Sequence, residues 1–213
     1  MTVTFSGTDQ LVQSWQQFAM PSGSSKGFDF TAAMRDVCAD MARRLPELSH
    51  IDMRRVAVGF CRARNGAMHG VFATLTPLRF EGGRRERTVR GRTVRIAPLV
   101  DADGAERLYL LNFYLPRFMN LPLEAKLSTI VHELWHVGPA FDGDLRRHAG
   151  RCYAHGRSQR EYDAAMDRLA QGWLAADPPA HLYAFLESRF DELAAEHGGV
   201  RGQRWPAPRL TPS

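Results

Sequence analysis

The chain has 213 residues, of which 44% are hydrophobic and 24% charged, a composition typical of one globular domain and not of a disordered or fibrous chain. No apolar run of about 18 residues occurs, and the first twenty residues lack a basic segment followed by an apolar one, so we expect a cytoplasmic protein without membrane contact. The net charge of +5 permits nucleic-acid binding without requiring it, and three scattered cysteines indicate neither a disulfide framework nor a zinc ribbon.

The front of the chain predicts one helix and then a small sheet. Apolar residues recur at helical spacing from about Thr31 to Leu45, and Pro46 ends that helix. Alternating apolar residues predict a strand over residues 56–60 and a second extended run over residues 71–80. Because Asn65-Gly66 between them is a strong turn signal, we expect these two strands to pair with each other.

Arginine dominates the stretch that follows. Valine and isoleucine alternate with arginine and threonine from Thr88 to Ala97, a pattern typical of exposed strands. The arginines concerned are Arg79, Arg84, Arg85, Arg87, Arg90, Arg92 and Arg95. We favour a pair of exposed strands whose outward positions are arginine, and the alternative is a surface that binds nucleic acid or an acidic substrate.

A last strand and an amphipathic helix come next. The apolar run from Arg107 to Leu115 predicts the strand, and Pro122 is a favoured first-turn residue for the helix. The apolar side of this helix consists of Leu123, Leu127, Ile130, Val131 and Leu134.

The opposite side of the helix carries an H-E-x-x-H pentad, residues 132–136. His132 and His136 lie one turn apart, within roughly 40° of each other around the helix axis, and Glu133 flanks them. Two imidazoles with an adjacent carboxylate are the ligands and the base of a zinc hydrolase, and a strand followed by such a helix is the zincin arrangement. The alternative is a solvated helix face that carries two unrelated histidines.

A catalytic zinc ion normally has three protein ligands, so the pentad needs one more. His155, just before an S-x-x-E capping box at residues 158–161, is our first candidate, since the box would hold it at the start of a helix. Asp142 is the alternative, because it stands where metzincins have their third ligand, although Gly138 comes one position too early. Glu187 and His148 are weaker candidates.

The back of the chain is predicted to be helical. One helix follows the capping box, and a last one follows Asp177-Pro178-Pro179. The Pro- and Arg-rich tail, residues 200–213, is either disordered or packed as an extended strap by Trp205. We therefore expect a single domain over residues 1–199, followed by this tail.

The pentad, the His155-Gly156 pair and Tyr162 together resemble the SprT-like metallopeptidases, in which a downstream His-Gly provides the third ligand. Residues 141–147 and 153–156 resemble still more the metallopeptidases carried by bacteriophages and prophages. The resemblance covers roughly residues 105–170, and the H-E-x-x-H pentad is its specific part.

This resemblance implies an α+β zincin-like fold with a small, mostly antiparallel sheet. It also implies a Zn²⁺ cofactor on His132, His136 and His155, with Glu133 as the catalytic base. The insert from Asp142 to Arg151 has no counterpart in the SprT-like pattern.

The remaining roles are hypotheses of chemistry. Tyr153 or Tyr162 could donate to the developing oxyanion, although each is equally an ordinary half-buried aromatic residue. Asp142 or Asp144 could instead orient a ligand imidazole. The strand from Arg107 to Leu115 could pair with an extended substrate.

The predicted function is that of a zinc-dependent endopeptidase that hydrolyses proteins or peptides. One alternative is a nucleic-acid-binding protein that uses the Arg79 to Arg95 region and holds a structural zinc ion. Another is a zincin-like binding protein without activity.

Overall fold

The computed structural model describes residues 26–63, 70–102, 104–147 and 159–213. These residues form a mixed α+β structure with several small sheets. The strands are β1 (Phe28–Asp29), β2 (Val56–Arg62), β3 (Ala73–Pro77), β4 (Glu86–Val89), β5 (Arg92–Ile96), β6 (Tyr109–Leu115), β7 (Val200–Arg201) and β8 (Leu210–Pro212). The helices are α1 (Phe30–Arg44), α2 (Leu123–Trp135), α3 (Gln159–Ala175), α4 (Ala180–Tyr183) and α5 (Phe190–His197).

Helix α1 follows its predicted course. The Asp29 side chain caps it by accepting a hydrogen bond from the Ala32 N–H, and Leu45 ends it before Pro46. The residues of its apolar stripe are fully or almost fully buried: Phe30, Met34, Val37, Cys38, Met41 and Leu45. They join residues of β2, β6, α2 and α3 in one core, so α1 packs on the elements that carry the site.

The central sheet has the strand order β2-β6-β3. Strand β2 runs parallel to β6, and β3 runs antiparallel to it on the other side. The predicted direct pairing of β2 with β3 is therefore wrong. Residues Val56 to Gly59 are all buried, as is typical of a strand in a parallel pair, and the Asn65-Gly66 turn lies outside the described residues. The sheet is mixed, because β6 has a parallel neighbour on one side and an antiparallel neighbour on the other. Its longest pairing is parallel, so it differs from the mostly antiparallel sheet that we expected.

Residues 84–96 of the arginine-rich stretch form the predicted pair of exposed strands. Arg79 was grouped with them wrongly, since its side chain is buried and forms an ion pair with Glu106 at 2.6 Å. Strands β4 and β5 make an antiparallel hairpin around a two-residue turn at Arg90-Gly91, and both turn residues have positive φ angles, 49° and 75°. Strand β8 pairs antiparallel with the other edge of β5. The second sheet thus has the order β4-β5-β8 and joins the end of the chain to its middle.

The tail forms the extended strap that was one of its two predicted states. The Trp205 indole N–H donates to the Val58 carbonyl at 3.1 Å, and the Phe60 N–H donates to the Gln203 carbonyl at 3.1 Å. Both contacts lie along the outer edge of β2. Gly59 makes the close approach possible, since a Cβ there would stand 2.8 Å from Trp205 Cδ1.

The helical back of the chain differs in one detail from its prediction. Helix α3 buries Tyr162, Met166 and Trp173 as expected, while Ser158 of the capping box lies outside the described residues. The single last helix predicted after Pro179 is two short helices, α4 and α5. None of the described helices combines the length and apolar character that a bilayer crossing requires.

Candidate active site

Helix α2 brings the pentad to the surface of the core. Four residues of its apolar side are completely buried and Leu123 is partly buried, which fixes the rotation of the helix about its axis. His132 and Glu133 occupy the last turn, and His136 caps the helix, with its N–H donating to the Glu133 carbonyl at 3.2 Å. The two histidines are half-buried and Glu133 is 9% exposed.

The two histidine rings of the pentad lie next to each other. Their centroids are 4.8 Å apart and their planes are inclined at 76°. Two imidazoles that share a metal ion about 2 Å from one nitrogen of each ring have centroids roughly 5 Å apart. The pair therefore fits a divalent metal ion.

A third ligand for this pair is missing from the described part of the chain. Among residues 26–63, 70–102, 104–147 and 159–213, no group of three His, Cys, Asp or Glu side chains is placed to hold a metal ion. His155, Tyr153 and His148 all lie outside the described residues. The role of His155 as a ligand stays a prediction.

The loop that follows the pentad folds back on the sheet, and hydrogen bonds hold its acidic residues there. The Tyr109 hydroxyl donates to the Asp144 carbonyl at 2.8 Å and accepts from the Gly143 N–H at 3.0 Å. The Asp142 carboxylate accepts from the Asp144 N–H at 3.1 Å and lies against Gly83. Asp142 thus contacts the base of the arginine hairpin.

Asp144 has partners of its own. Its carboxylate accepts from the Gly82 N–H at 2.9 Å and from Arg147 at 2.8 Å. Burial opposes ionisation, yet these hydrogen bonds hold the pKa of Asp144 below its usual range. Asp142, Asp144 and Glu187 do not join the two histidines in a metal-binding group of described residues.

The same loop holds the end of α2 in place through Arg146. Its backbone N–H donates to the His136 carbonyl at 2.8 Å, and its guanidinium donates to the Trp135 carbonyl at 2.7 Å. The guanidinium carbon also lies 4.1 Å from the centre of the Trp135 ring. The sequence pattern gave no sign of this support, because it depends on how the loop folds back.

Glu133 is in an environment suited to a base. Burial raises the pKa of its carboxyl to about 7, while a hydrogen bond from the Leu75 backbone N–H opposes the rise. A general base works best with a pKa near the operating pH. Leu75 therefore contributes its backbone N–H to the site. Every residue except proline has this group, so the residue type could not reveal the role.

The position of Leu75 in the sheet explains why its N–H is available. Pairs of hydrogen bonds join alternate residues of β3 to β6, with the Tyr114 N–H on the Phe72 carbonyl and the Leu78 N–H on the Leu108 carbonyl, both at 2.9 Å. This alternation turns the main-chain groups of Leu75 away from β6. The outer edge of β3 consequently faces Glu133.

This edge also corrects the prediction about substrate pairing. The strand predicted to pair with substrate, Arg107 to Leu115, contains β6, which lies in the middle of the sheet with both edges occupied. That prediction is wrong. Strand β3 has the open edge, since no strand among the described residues pairs with its outer side, and Pro77, which lacks an N–H, is tolerated there.

Tyr162 reaches the histidines from α3. Its ring centroid lies 5.1 Å from that of His132 and 6.5 Å from that of His136. Burial raises the pKa of the phenol, and the charge of Glu133 adds to the effect, so the hydroxyl stays protonated at neutral pH. A protonated hydroxyl is able to donate a hydrogen bond, and its use for an oxyanion stays a prediction.

A cleft of about 370 Å³ opens beside these groups. It lies between the start of β3, helix α2 and helix α3. The residues that line it are Gly70, Val71, Phe72, Ala73, Ala125, Ser128, Thr129, His132, Glu133, Asp163, Met166 and Asp167. Glu133 is thus buried from bulk solvent but open to a ligand in the cleft.

No protein-family model matches this chain, and no curated protein or solved structure is detectably similar to it.

Proposed function

We propose that this chain is a zinc-dependent peptidase that cleaves extended segments of proteins or peptides. One observation carries the proposal. The buried Glu133 carboxylate lies between a pair of adjacent imidazoles and the open edge of a β-strand, at the wall of a cleft.

His132 and His136 would hold the zinc ion, with His155 as the predicted third ligand. When bound, zinc polarises a carbonyl group and lowers the pKa of a coordinated water to about 7. Glu133 accepts the proton of the attacking water and passes it to the departing amine. The Leu75 N–H keeps the carboxylate oriented for both transfers, and the Tyr162 hydroxyl is the candidate donor to the developing oxyanion.

The edge of β3 is the proposed binding site for the substrate main chain. Ala73 turns its N–H and carbonyl outward at this edge, Leu75 turns its carbonyl outward while its N–H is taken by Glu133, and Ala73 also lines the cleft. An extended peptide pairs with such an edge through its own main-chain groups, and its side chains then decide specificity. A folded segment cannot pair in this way, so the expected substrates are unfolded chains or flexible loops.

The peptidase proposal explains more of the site than either alternative does. A structural zinc ion is enclosed by four protein ligands, whereas His132 lines an open cleft. A structural site also has no use for a buried carboxylate with a near-neutral pKa. A binding protein without activity would share the geometry, and only an assay separates it from an enzyme.

The decisive test is cleavage by the Glu133→Gln variant. We expect zinc-loaded wild-type protein to cut an unfolded protein substrate, with products identified by mass spectrometry. Glu133→Gln should lower the rate by about two to four orders of magnitude and keep the zinc, because only the base is removed. The matched control is Glu124→Gln, an exposed glutamate in the first turn of the same helix. A zinc-loaded wild-type protein that cleaves nothing, or a fully active Glu133→Gln variant, would refute the proposal.

The ligand set has its own test. Zinc content by elemental analysis, under mild chelation, should fall in His132→Ala and in His155→Ala and stay near wild type in Asp142→Ala. Loss of zinc in Asp142→Ala alone would move the third ligand to that residue.

A further inference from the structure

The arginine hairpin carries a concentration of charge that the proposed peptidase does not use. Residues 84–96 contain six arginines against a single glutamate, a net charge of +5, which equals the formal net charge of the whole chain. The remainder of the chain is therefore electrically balanced. All six arginines are exposed: Arg84, Arg85, Arg87, Arg90, Arg92 and Arg95.

Most of these charges are uncompensated. Arg85 forms an ion pair with Glu106 at 3.2 Å, but among the described residues no carboxylate lies within ion-pair distance of Arg87, Arg90, Arg92 or Arg95. A group of like charges on one narrow hairpin repels itself, and a polyanion relieves that repulsion.

The hairpin is held in place at its base. Strand β8 pairs with β5, and Ile96 packs against the small apolar cluster that contains Leu78, Leu110 and Trp205. The guanidinium of Arg87 lies 5.1 Å from the centre of the Phe80 ring. The strands are therefore preorganised, and their arginines are presented from a rigid support.

The tip contains a residue that the turn itself does not favour. Arg90 has a φ angle of 49°, a left-handed conformation that asparagine and glycine adopt more easily than arginine. Such a residue at an exposed turn is a sign of function, because the fold alone would be served better by another residue.

We propose that this hairpin binds duplex nucleic acid through its phosphates. Strand β8 pairs with β5 only at Val94 to Ile96, so the tip of the hairpin, which carries Arg90 and Arg92, is a two-stranded antiparallel ribbon that is narrow enough to enter the major groove. Guanidinium groups bind phosphate in a bidentate manner. An anionic membrane is a poorer partner, since residues 84–96 contain no aromatic residue and no leucine to enter a bilayer. The proposal is independent of the peptidase function and does not involve Glu133.

The test is fluorescence anisotropy with a labelled short duplex of mixed sequence, over a range of salt concentrations. The double variant Arg90→Asn/Arg92→Ser should bind more weakly, and the slope of log K against log salt concentration should fall by about two relative to wild type. The control Arg160→Ser/Arg168→Ser removes two exposed arginines from α3 and should keep the wild-type slope.

Arg90→Asn alone separates binding from folding. Asparagine suits the turn better, so the melting temperature should stay or rise while the affinity for the duplex falls. The proposal is overturned if wild-type protein shows no salt-dependent binding, if the control loses as much affinity as the test variant, or if anionic lipid vesicles bind and the duplex does not. Glu133→Gln should bind the duplex like wild type, so failure here leaves the peptidase assay interpretable.

Discussion

The two outer edges of the central sheet differ in what covers them. Along β2, the tail covers the outer edge through the hydrogen bonds of Trp205 and Gln203. Along β3, the outer edge meets a single carboxylate, that of Glu133, and then borders the cleft. One edge is closed by the chain itself and the other is left beside the candidate base.

This difference teaches how a small sheet avoids unwanted pairing and still keeps one edge beside an open cleft. An exposed edge invites pairing with other chains, so proteins cover or interrupt it. Here the covered edge needs a residue without a side chain at Gly59 to let the indole approach. The open edge has few outward main-chain donors, since Pro77 has none and the Leu75 N–H is occupied by Glu133.

Of the changes at the two edges, a substitution at the open edge should have the largest effect, and that effect should be on the cleavage rate. Leu75→Pro removes the N–H that donates to Glu133 while leaving the ladder to β6 intact, since that N–H points away from β6. We expect cleavage of an unfolded substrate to slow by about 10- to 100-fold, because groups that orient catalytic residues have effects of this size.

The control for this variant is Leu75→Ala, which loses the side chain and keeps the N–H. If the alanine variant slows cleavage as much as the proline variant, packing of the side chain would account for the effect and the hydrogen bond would have no role.

A substitution at the covered edge should lower the free energy of unfolding instead of the cleavage rate. Trp205→Ala removes a half-buried indole and its hydrogen bond to Val58, and we expect a loss of about 2 kcal/mol in the free energy of unfolding. For a protein of this size that corresponds to a fall of about 4–8 °C in melting temperature. Trp205→Phe should lose about half as much. A changed cleavage rate well below the melting temperature would show that the two edges are coupled.

The smallest effect should come from acid. Burial raises the pKa values of Asp101, Glu106 and Asp144, but hydrogen bonds and charges from Arg107, from Arg79 and Arg85, and from Arg147 hold them below their usual range. Because their pKa values are lower in the folded state, they stabilise the fold above about pH 5, and this contribution is lost as the pH falls below about 4.

The measurement is the midpoint of urea unfolding near pH 5 and near pH 3, on either side of the range in which the contribution is lost. Glu106→Gln should reduce the difference between the two midpoints, because one of the linked groups is gone. Burial of Glu133 acts in the opposite direction, so the variant decides: if Glu106→Gln leaves the difference between the two midpoints unchanged, the pairing of Glu106 with Arg79 and Arg85 contributes nothing to stability.

Much of the local structure was predictable. Helical spacing located α1 and α2, alternation located the arginine hairpin, and a continuous apolar run located β6. The pentad placed His132, Glu133 and His136 on one helix. These features depend on residues that are close in sequence, where periodicity reports directly on which face is buried. Tyr162 was predicted as a site residue, and its ring does lie beside both histidines.

The arrangement of the elements was not predictable in the same way. The alternating pattern and the turn signal predicted that β2 and β3 form a hairpin, yet β6 lies between them. Alternation says which residues face the core, but it carries no information about which strand is the neighbour. The strand from Arg107 to Leu115 was therefore predicted to have an open edge that it does not have.

Residue types near one another in the chain thus provided the groups on which both proposals rest: two imidazoles, a carboxylate and a run of arginines. The long-range folding supplied their surroundings, namely the Leu75 N–H on the carboxylate, Arg146 behind the helix end, and the tail over one sheet edge. The physical reason is that main-chain groups are the same in every residue. Their roles depend on which partner the fold brings to them, and pattern in the sequence does not record that partner.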